Sequence, residues 1–529
     1  MTVQRQVGLA IVLALGGCNL RMAAVPAPPV THYVAVDAPQ PTPPTIEAVQ
    51  VPAGYRAEIV VRGLTYPSSV EFDDEGNLYV AEAGFVYGDP FAPARILRIT
   101  PRGDMRYVAD NLNGPITDLL WFDGRLYISH RGKISVLEGD RVRDLVIDLP
   151  SFGDHHNNQL AAGPDGRIYF GQGTVTNSGV VGIDNFLYQW LALRPEGHDR
   201  LPYDVTIDAR TFTTINPFIM AGGRGGWFAH TVPFAPFGES GSGIEERTGE
   251  RLANGTIMRM NPDGSGLQVY AWGLRNPFGL TWARDGQLYV ANNGFDERGS
   301  RPVAGDTDQL YAIKKCGWYG WPDYAGGVPV TEPRFSSALG DQPRFILREH
   351  PPVEKPLIHF PAHSGVAKLA TGSHERFGNP GHLYLAIFGP MTPLTGNAPG
   401  GPRGFEVVRI DPVIRAVTPF FTNRNAYQST TPTRVNGGLN RPVDVVFAPD
   451  GLTMYVVDMG VIEVLSTRIP TIEPRPGTGV VWRIVPEGVQ PMGPPANLSV
   501  LPDERPTTPE PPAQTVENRP ALPGAFPGE

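Results

Sequence analysis

A chain of 529 residues exceeds the usual ceiling for one simple core, so it holds either several domains or one repeat-built domain with tails. Its 41% hydrophobic and 18% charged residues are ordinary for a globular protein, while 62 Gly and 56 Pro make it rich in turns. A formal charge of -9 excludes a nucleic-acid partner, which calls for a basic face.

Arg5 precedes an apolar run from Val7 to Leu15, which closes as Leu15-Gly16-Gly17-Cys18. A positive start, a short apolar stretch and small residues form the pattern of a secretory signal, too short to span a bilayer. Small residues directly before a cysteine are similar to the bacterial lipoprotein signal, in which that cysteine becomes the first residue and is lipidated. The bland reading is a plain signal with a fortuitous cysteine. The expectation is an exported chain, periplasm-facing or at the cell surface, attached to the membrane only through a lipid on Cys18. Cys316 then remains alone, and no intrachain disulfide forms. Residues 19–50, rich in Pro, Ala and Val, read as a tether, and residues 486–529, rich in Pro, Glu and Thr, as a disordered tail. The folded part is expected over 51–485.

Within it one theme recurs: an apolar stretch, Asp-Gly or a close variant, then an alternating run of Leu, Tyr and Val. It stands as VEFDDEGNLYVAEAG (70–84), LLWFDGRLYISHRG (119–132), LAAGPDGRIYFGQG (160–173), LTWARDGQLYVANNG (280–294) and VVFAPDGLTMYVVDMG (445–460), with a degenerate copy GNPGHLYLAIFG (378–389). Asp-Gly between β-rich runs signals a hairpin, because the turn needs residues that tolerate positive φ. Several copies are followed by a short strand with an apolar-Arg-apolar pattern, as in ARILRITPRG and GFEVVRIDP. Four short strands per repeat and no long helical pattern predict an all-β, six-bladed β-propeller with long inter-blade loops, notably 175–254 and 299–368. Such loops carry function on one face.

Three segments contain residues suited to chemistry. Asp154-His155-His156-Asn157-Asn158-Gln159 is a polar loop before a strand unit, and a neutral imidazole there is suited to take a proton from a hydroxyl. The same loop reads equally as a hydrogen-bonded turn. Gly273-Leu274-Arg275-Asn276-Pro277 offers a charged planar donor fork and an amide; it also reads as an Arg that caps channel carbonyls. Asn292-Asn293-Gly294-Phe295-Asp296-Glu297 is an oxygen-rich turn without EF-hand spacing, and Gly317-Trp318-Tyr319-Gly320-Trp321-Pro322 follows it. Aromatics between glycines usually pack, with sugar stacking as the other reading.

The succession HHNNQLAAGPDGRIYF, WGLRNPFGLTW, NNGFDERG and CGWYGWPDYAGG, with RPVDVVFAPDG and GTGVVWRI at the end, resembles the PQQ-dependent glucose/sorbosone dehydrogenase family across 51–485. The resemblance implies PQQ on top of the propeller with calcium beneath it. It implies that a histidine directly after an aspartate removes the substrate's hydroxyl proton as hydride passes to the quinone. Counting back from GPDG, these positions are His155 and Asp154. Arg275 and Asn276 would contact PQQ, with Arg275 also stabilising charge on the quinone. Calcium would be held by backbone carbonyls at Gly294-Phe295, where the family has a Gly-Pro step.

Departures accompany the match. The aspartate that steadies the base in the best-known glucose dehydrogenases falls on Thr174, so His155 lacks a carboxylate partner and glucose is put in doubt as the substrate. The acidic pair after the calcium turn reads Asp308-Gln309. The cofactor lysine falls on Thr371, with Lys368 displaced by three. Arg403 and Arg409 stand near the family's second PQQ-binding arginine pair, with spacing longer by one. The pattern is nearer the sorbosone-dehydrogenase-like branch.

The leading expectation is a PQQ- and calcium-dependent oxidation of a small-molecule sugar, polyol or aldehyde. No Cys-x-x-Cys-His occurs, so electrons go to an external acceptor. Two other classes stay open: a non-enzymatic cell-surface propeller that binds a partner, and a calcium-dependent lactonase-type hydrolase, which would need side-chain carboxylates and amides converging on the axis.

Overall fold

The computed structural model describes residues 41–84, 92–110, 112–220, 226–391, 404–425, 437–465 and 471–500; Cys18 and the signal segment lie outside them. The described chain is a six-bladed β-propeller, with three short helices among these residues. Blade one is Pro67–Phe72, Leu78–Glu82, Arg95–Ile99 and Met105–Ala109, and blade two runs through four strands from Ile116–Phe122 to Arg141–Val146. Blade three begins with Asn157–Ala162 and Ile168–Gln172, then resumes at Thr256–Met260 after an insertion. Blades four, five and six start from Asn276–Trp282, Val366–Thr371 and Pro442–Phe447. Five of the recurring hairpins of the sequence supply the two inner strands of one blade, the degenerate copy at 378–389 supplies only the second strand of blade five, and each apolar-Arg-apolar segment supplies a third strand.

The hairpin turns follow from their residues. Asp123 (φ 51°) and Gly124 (φ 69°) both take positive φ between Phe122 and Arg125, as a tight two-residue hairpin requires. The core lies between neighbouring sheets, where alternate Val, Leu, Ile and Tyr side chains are removed from water.

Ring closure extends the fold beyond the expected limits. Tyr55–Leu64, from the N-terminal end, pairs antiparallel with Gly479–Pro486 as an outer strand of blade six. Leu498–Ser499 then adds parallel to it, and Tyr455 donates its hydroxyl to the Met492 carbonyl at 2.6 Å. Residues 486–500 therefore belong to the propeller rather than to a tail. At the other end, Val49–Gln50 pairs with Ala416–Asn423 of blade five, so the last part of the expected tether is folded too. No helix among the described residues is long and apolar enough to cross a membrane.

Candidate active site

Every innermost strand shifts register near its start: at Pro67/Ser69, Ile116/Asp118, Asn157/Leu160, Pro277/Gly279, Val366/Leu369 and Pro442/Asp444. A bulge re-aims the side chain it leaves unpaired. Ser68, Thr117, Asn158, Phe278 and Val443 are such residues in five of the blades, and all line one recess with His155, Asn276 and Met459. The repeated bulge thus builds the mouth of the propeller axis.

His155 is held there by Thr174, chiefly its backbone, with the Thr174 Oγ1 a second, longer neighbour of Nδ1 at 3.2 Å. Its Nδ1 lies 2.9 Å from the Thr174 carbonyl oxygen, an acceptor only, so Nδ1 carries the hydrogen and Nε2 is left as the acceptor. The Thr174 hydroxyl spends its hydrogen on the Thr176 carbonyl at 2.6 Å. Among the described residues nothing hydrogen-bonds Nε2. Burial first, then the charges of Arg275 and Arg298, hold the imidazole well below its ordinary range, against a pull from Asp296. Gly173 permits the approach: a Cβ there would lie 2.4 Å from the His155 Cβ and 2.8 Å from the Asn276 Oδ1. His156, beside it in the recess, turns its Nδ1 to the Ser151 carbonyl at 2.8 Å.

Arg275 and Asn276 open the inner strand of blade four, both buried. Arg275 donates from Nε to Asn177 Oδ1 at 3.0 Å and from Nη2 to Asp296 Oδ2 at 2.6 Å; Nη1 has no partner among the described residues. Asn276 accepts from Asn158 at 3.0 Å and donates to Asn293 Oδ1 at 2.8 Å. Behind them Asn292 donates to Gln309 Oε1 at 2.7 Å, and Gln309 donates to Asp306 at 3.2 Å. Gln309, at the expected acidic position, passes hydrogen bonds along a chain of amides that a carboxylate would end.

At the oxygen-rich turn, Gly294 donates its N–H to Asp308 Oδ1 at 3.0 Å and Phe295 its N–H to Asp306 Oδ2 at 2.8 Å. Burial pushes Asp306 up to about 7. Neither the Gly294 nor the Phe295 carbonyl accepts a hydrogen bond among the described residues, while the Phe295 ring packs in a core with Trp318 and Trp321. Trp318, Tyr319 and Trp321 are all buried, and Tyr319 and Trp321 line a second recess with Arg275, Gly294 and Asp306.

Asp154 is buried in the lining of the same recess as His155. Its Oδ2 pairs with Arg298 at 2.7 Å, and its Oδ1 accepts from Asn185 at 3.1 Å and Trp190 at 2.7 Å. Asp296 gathers Arg275, Arg298 and, at 3.5 Å, His363 Nδ1. Burial alone would raise Asp296, but Arg275, His363 and Arg298 together bring it well below the usual carboxylate range. Asp296 and Arg298 lie inside NNGFDERG yet carry no pattern that singles them out, and the carbonyl of Thr174 is not a side chain at all.

Other positions lie elsewhere. Lys368 is fully buried beneath the recess, with Nζ 2.8 Å from Asp118, 2.9 Å from Asp444 and 3.1 Å from the Thr117 carbonyl. It joins the inner strands of blades two, five and six. Thr371 bonds the Trp282 carbonyl at 3.2 Å. Arg409 is in the third strand of blade five, opposite Tyr384 and within electrostatic reach of Tyr55, and the fold does not bring it to the recess. Arg403 lies outside the described residues.

Comparison with known proteins agrees with this architecture. Residues 238–383 match the family described as Glucose / Sorbosone dehydrogenase. Quinoprotein glucose dehydrogenase B of Acinetobacter calcoaceticus is 25% identical over 186 residues, which are 35% of this chain and 29% of that relative. The chain therefore matches under a third of that relative's length. The holo form of the pyranose dehydrogenase PQQ domain from Coprinopsis cinerea has a TM-score of 0.51 at 18% identity, covering 85% of this chain and 99% of the other. At that identity the likeness concerns the fold.

Proposed function

We propose that this relative of the glucose/sorbosone dehydrogenases is a PQQ- and calcium-dependent oxidoreductase acting on a sugar or a related polyol or aldehyde. The observation that carries the reading is the imidazole of His155, whose tautomer is set by the Thr174 carbonyl and whose Nε2 is left unpaired in a recess shared with Asn276.

PQQ, when bound, supplies a two-electron acceptor for the substrate's hydride. The residues fit such a group: in the His155 recess Asn158 and Asn276 offer amides, and Phe278, Val443 and Met459 present apolar surface to a flat ring system, while Arg275, next to Asn276 and lining the adjoining recess with Gly294, offers Nη1 to an anionic carboxylate or quinone oxygen. The unpaired carbonyls of Gly294 and Phe295 fit a cation that prefers oxygen ligands. Asp306 and Asp308 brace that turn through its amides.

His155 accepts the hydroxyl proton at Nε2, and the imidazolium that forms is steadied by its Nδ1–H bond to Thr174. A carbonyl dipole orients the ring as an aspartate would but adds less basicity. Arg275 places a fixed positive charge beside the reacting centre. Electrons leave to an external acceptor, and attachment through a lipid on Cys18 would place the enzyme at the periplasmic side of a membrane. A lactonase-type hydrolase needs several side-chain ligands, and among the described residues no group of three His, Cys, Asp or Glu is arranged to hold a metal ion.

Dye reduction by the full-length chain with PQQ and calcium, over a panel of aldoses and aldehydes, tests the proposal. Turnover that His155→Ala abolishes and His156→Ala spares is the expected result. The reverse pattern, or no turnover on any member of the panel, contradicts it.

A further inference from the structure

The insertion of blade three, which leaves the sheet after Gln172 and rejoins it at Thr256, meets the His155 loop directly, Asn185 and Trp190 donating to Asp154, and also through Arg298, which comes from the loop after the second strand of blade four. Arg298 donates from Nη2 to Asp154 Oδ2 at 2.7 Å, from Nη1 to Asp184 Oδ2 at 2.6 Å and from Nε to Asp296 Oδ2 at 3.1 Å. Its guanidinium also lies over the Tyr188 ring at 4.5 Å. Asp184 and Tyr188 belong to or flank the short helix Ile183–Leu187 of the insertion. Asp154 is the residue before His155, and Asp296 is the carboxylate that holds Arg275.

These groups are buried, and a buried carboxylate is retained only when paired and hydrogen-bonded. The planar fork of an arginine serves three carboxylates at once, which the point charge of a lysine does not. The remaining oxygen of Asp154 is also turned to the insertion, taking Asn185 and Trp190. Asp184 in turn packs against the backbone beside Arg298: a Cβ on Gly299 would stand 2.8 Å from its Oδ2. The insertion is thus clamped to the residue next to the base instead of lying free above it.

We propose that Arg298 is a positioning residue, which locks the insertion helices to the His155 loop so that the two move as one unit and the orientation of the base depends on both. The inference rests on the oxidoreductase reading for its consequence in turnover, and on geometry alone for the coupling.

Amide hydrogen exchange on the full chain without added PQQ reads the coupling directly, comparing the parent protein with Arg298→Lys and Asp184→Asn. Asp184→Asn removes a single arm of the fork at constant size and serves if the Arg298 variant does not fold. The expected result is exchange faster by about tenfold in both 183–193 and 151–157, with blade six unchanged. In the PQQ-loaded enzyme the same variants lower kcat by about 10- to 100-fold with KM nearly constant, the signature of a misplaced base. Faster exchange confined to 183–193, or unchanged kcat, overturns the proposal. Coupled exchange in a chain that never turns over with PQQ supports the clamp and rejects the oxidoreductase reading instead.

Discussion

The carbonyl oxygen of Thr174 receives both hydrogens of His155, the Nδ1–H at 2.9 Å and the backbone N–H at 3.2 Å. Thr174 also gives its own N–H to the Arg275 carbonyl at 2.9 Å, so its peptide groups tie the base to the arginine. Thr174→Val keeps both peptide groups and loses only the hydroxyl. Turnover within about threefold of the parent is expected, with stability lower by about 1–3 kcal/mol for the unpaired Thr176 carbonyl. Dye reduction and denaturant unfolding measure the two, and a far larger loss of turnover at unchanged stability would assign the orienting role to the side chain.

The pH profile of kcat/KM follows from the surroundings of His155. Burial, Arg275 and Arg298 depress its pKa, so the imidazole stays neutral and able to accept a proton below the ordinary histidine value of about 6.5. The acid limb should fall below that value. A limb at or above it, in steady-state rates measured across the acid range, contradicts the role given to these charges.

Lys368 is assigned to the framework and not to the cofactor. Lys368→Met leaves Asp118 and Asp444 buried without their cation and should cost about 3–5 kcal/mol, while PQQ affinity in the folded fraction is unchanged. Equilibrium unfolding and cofactor titration separate the two effects.

Glu71 supplies a stability test. Burial first, then the charges of Asp118 and Asp444, push its carboxyl up to about 8. The folded chain therefore keeps a proton that the unfolded chain releases above about pH 4.3, and stability declines as pH rises from there to about 8. Glu71→Gln is permanently neutral and removes that slope, so its gain in Tm over the parent should be small near pH 5 and largest above pH 8 by thermal unfolding.

The blades were legible because Asp-Gly turns and alternating strands are local signals, and each of the six repeats in sequence falls in its own blade. Closure was not legible: Tyr55–Leu64 pairs with Gly479–Pro486 from the far end of the chain, and no local pattern announces such a partner. Residues 486–500 looked like part of a tail because the stretch 486–529 is rich in Pro, Glu and Thr with few large apolar groups, yet they fold back on the outer strand of blade six. In the site, His155, Arg275 and Asn276 were visible as side chains in distinctive motifs. Thr174 read as a missing carboxylate because sequence displays side chains and the group that serves is a carbonyl. Arg298 stood in a quoted motif, but its partners lie 144 and 114 residues away.

The central claim is tested most directly by titrating the full-length chain with PQQ in the presence of calcium and following the quinone absorbance. Saturable binding at micromolar PQQ, weakened about tenfold or more by Arg275→Met, is the predicted result. No saturation in that range, or binding indifferent to Arg275→Met, would contradict it.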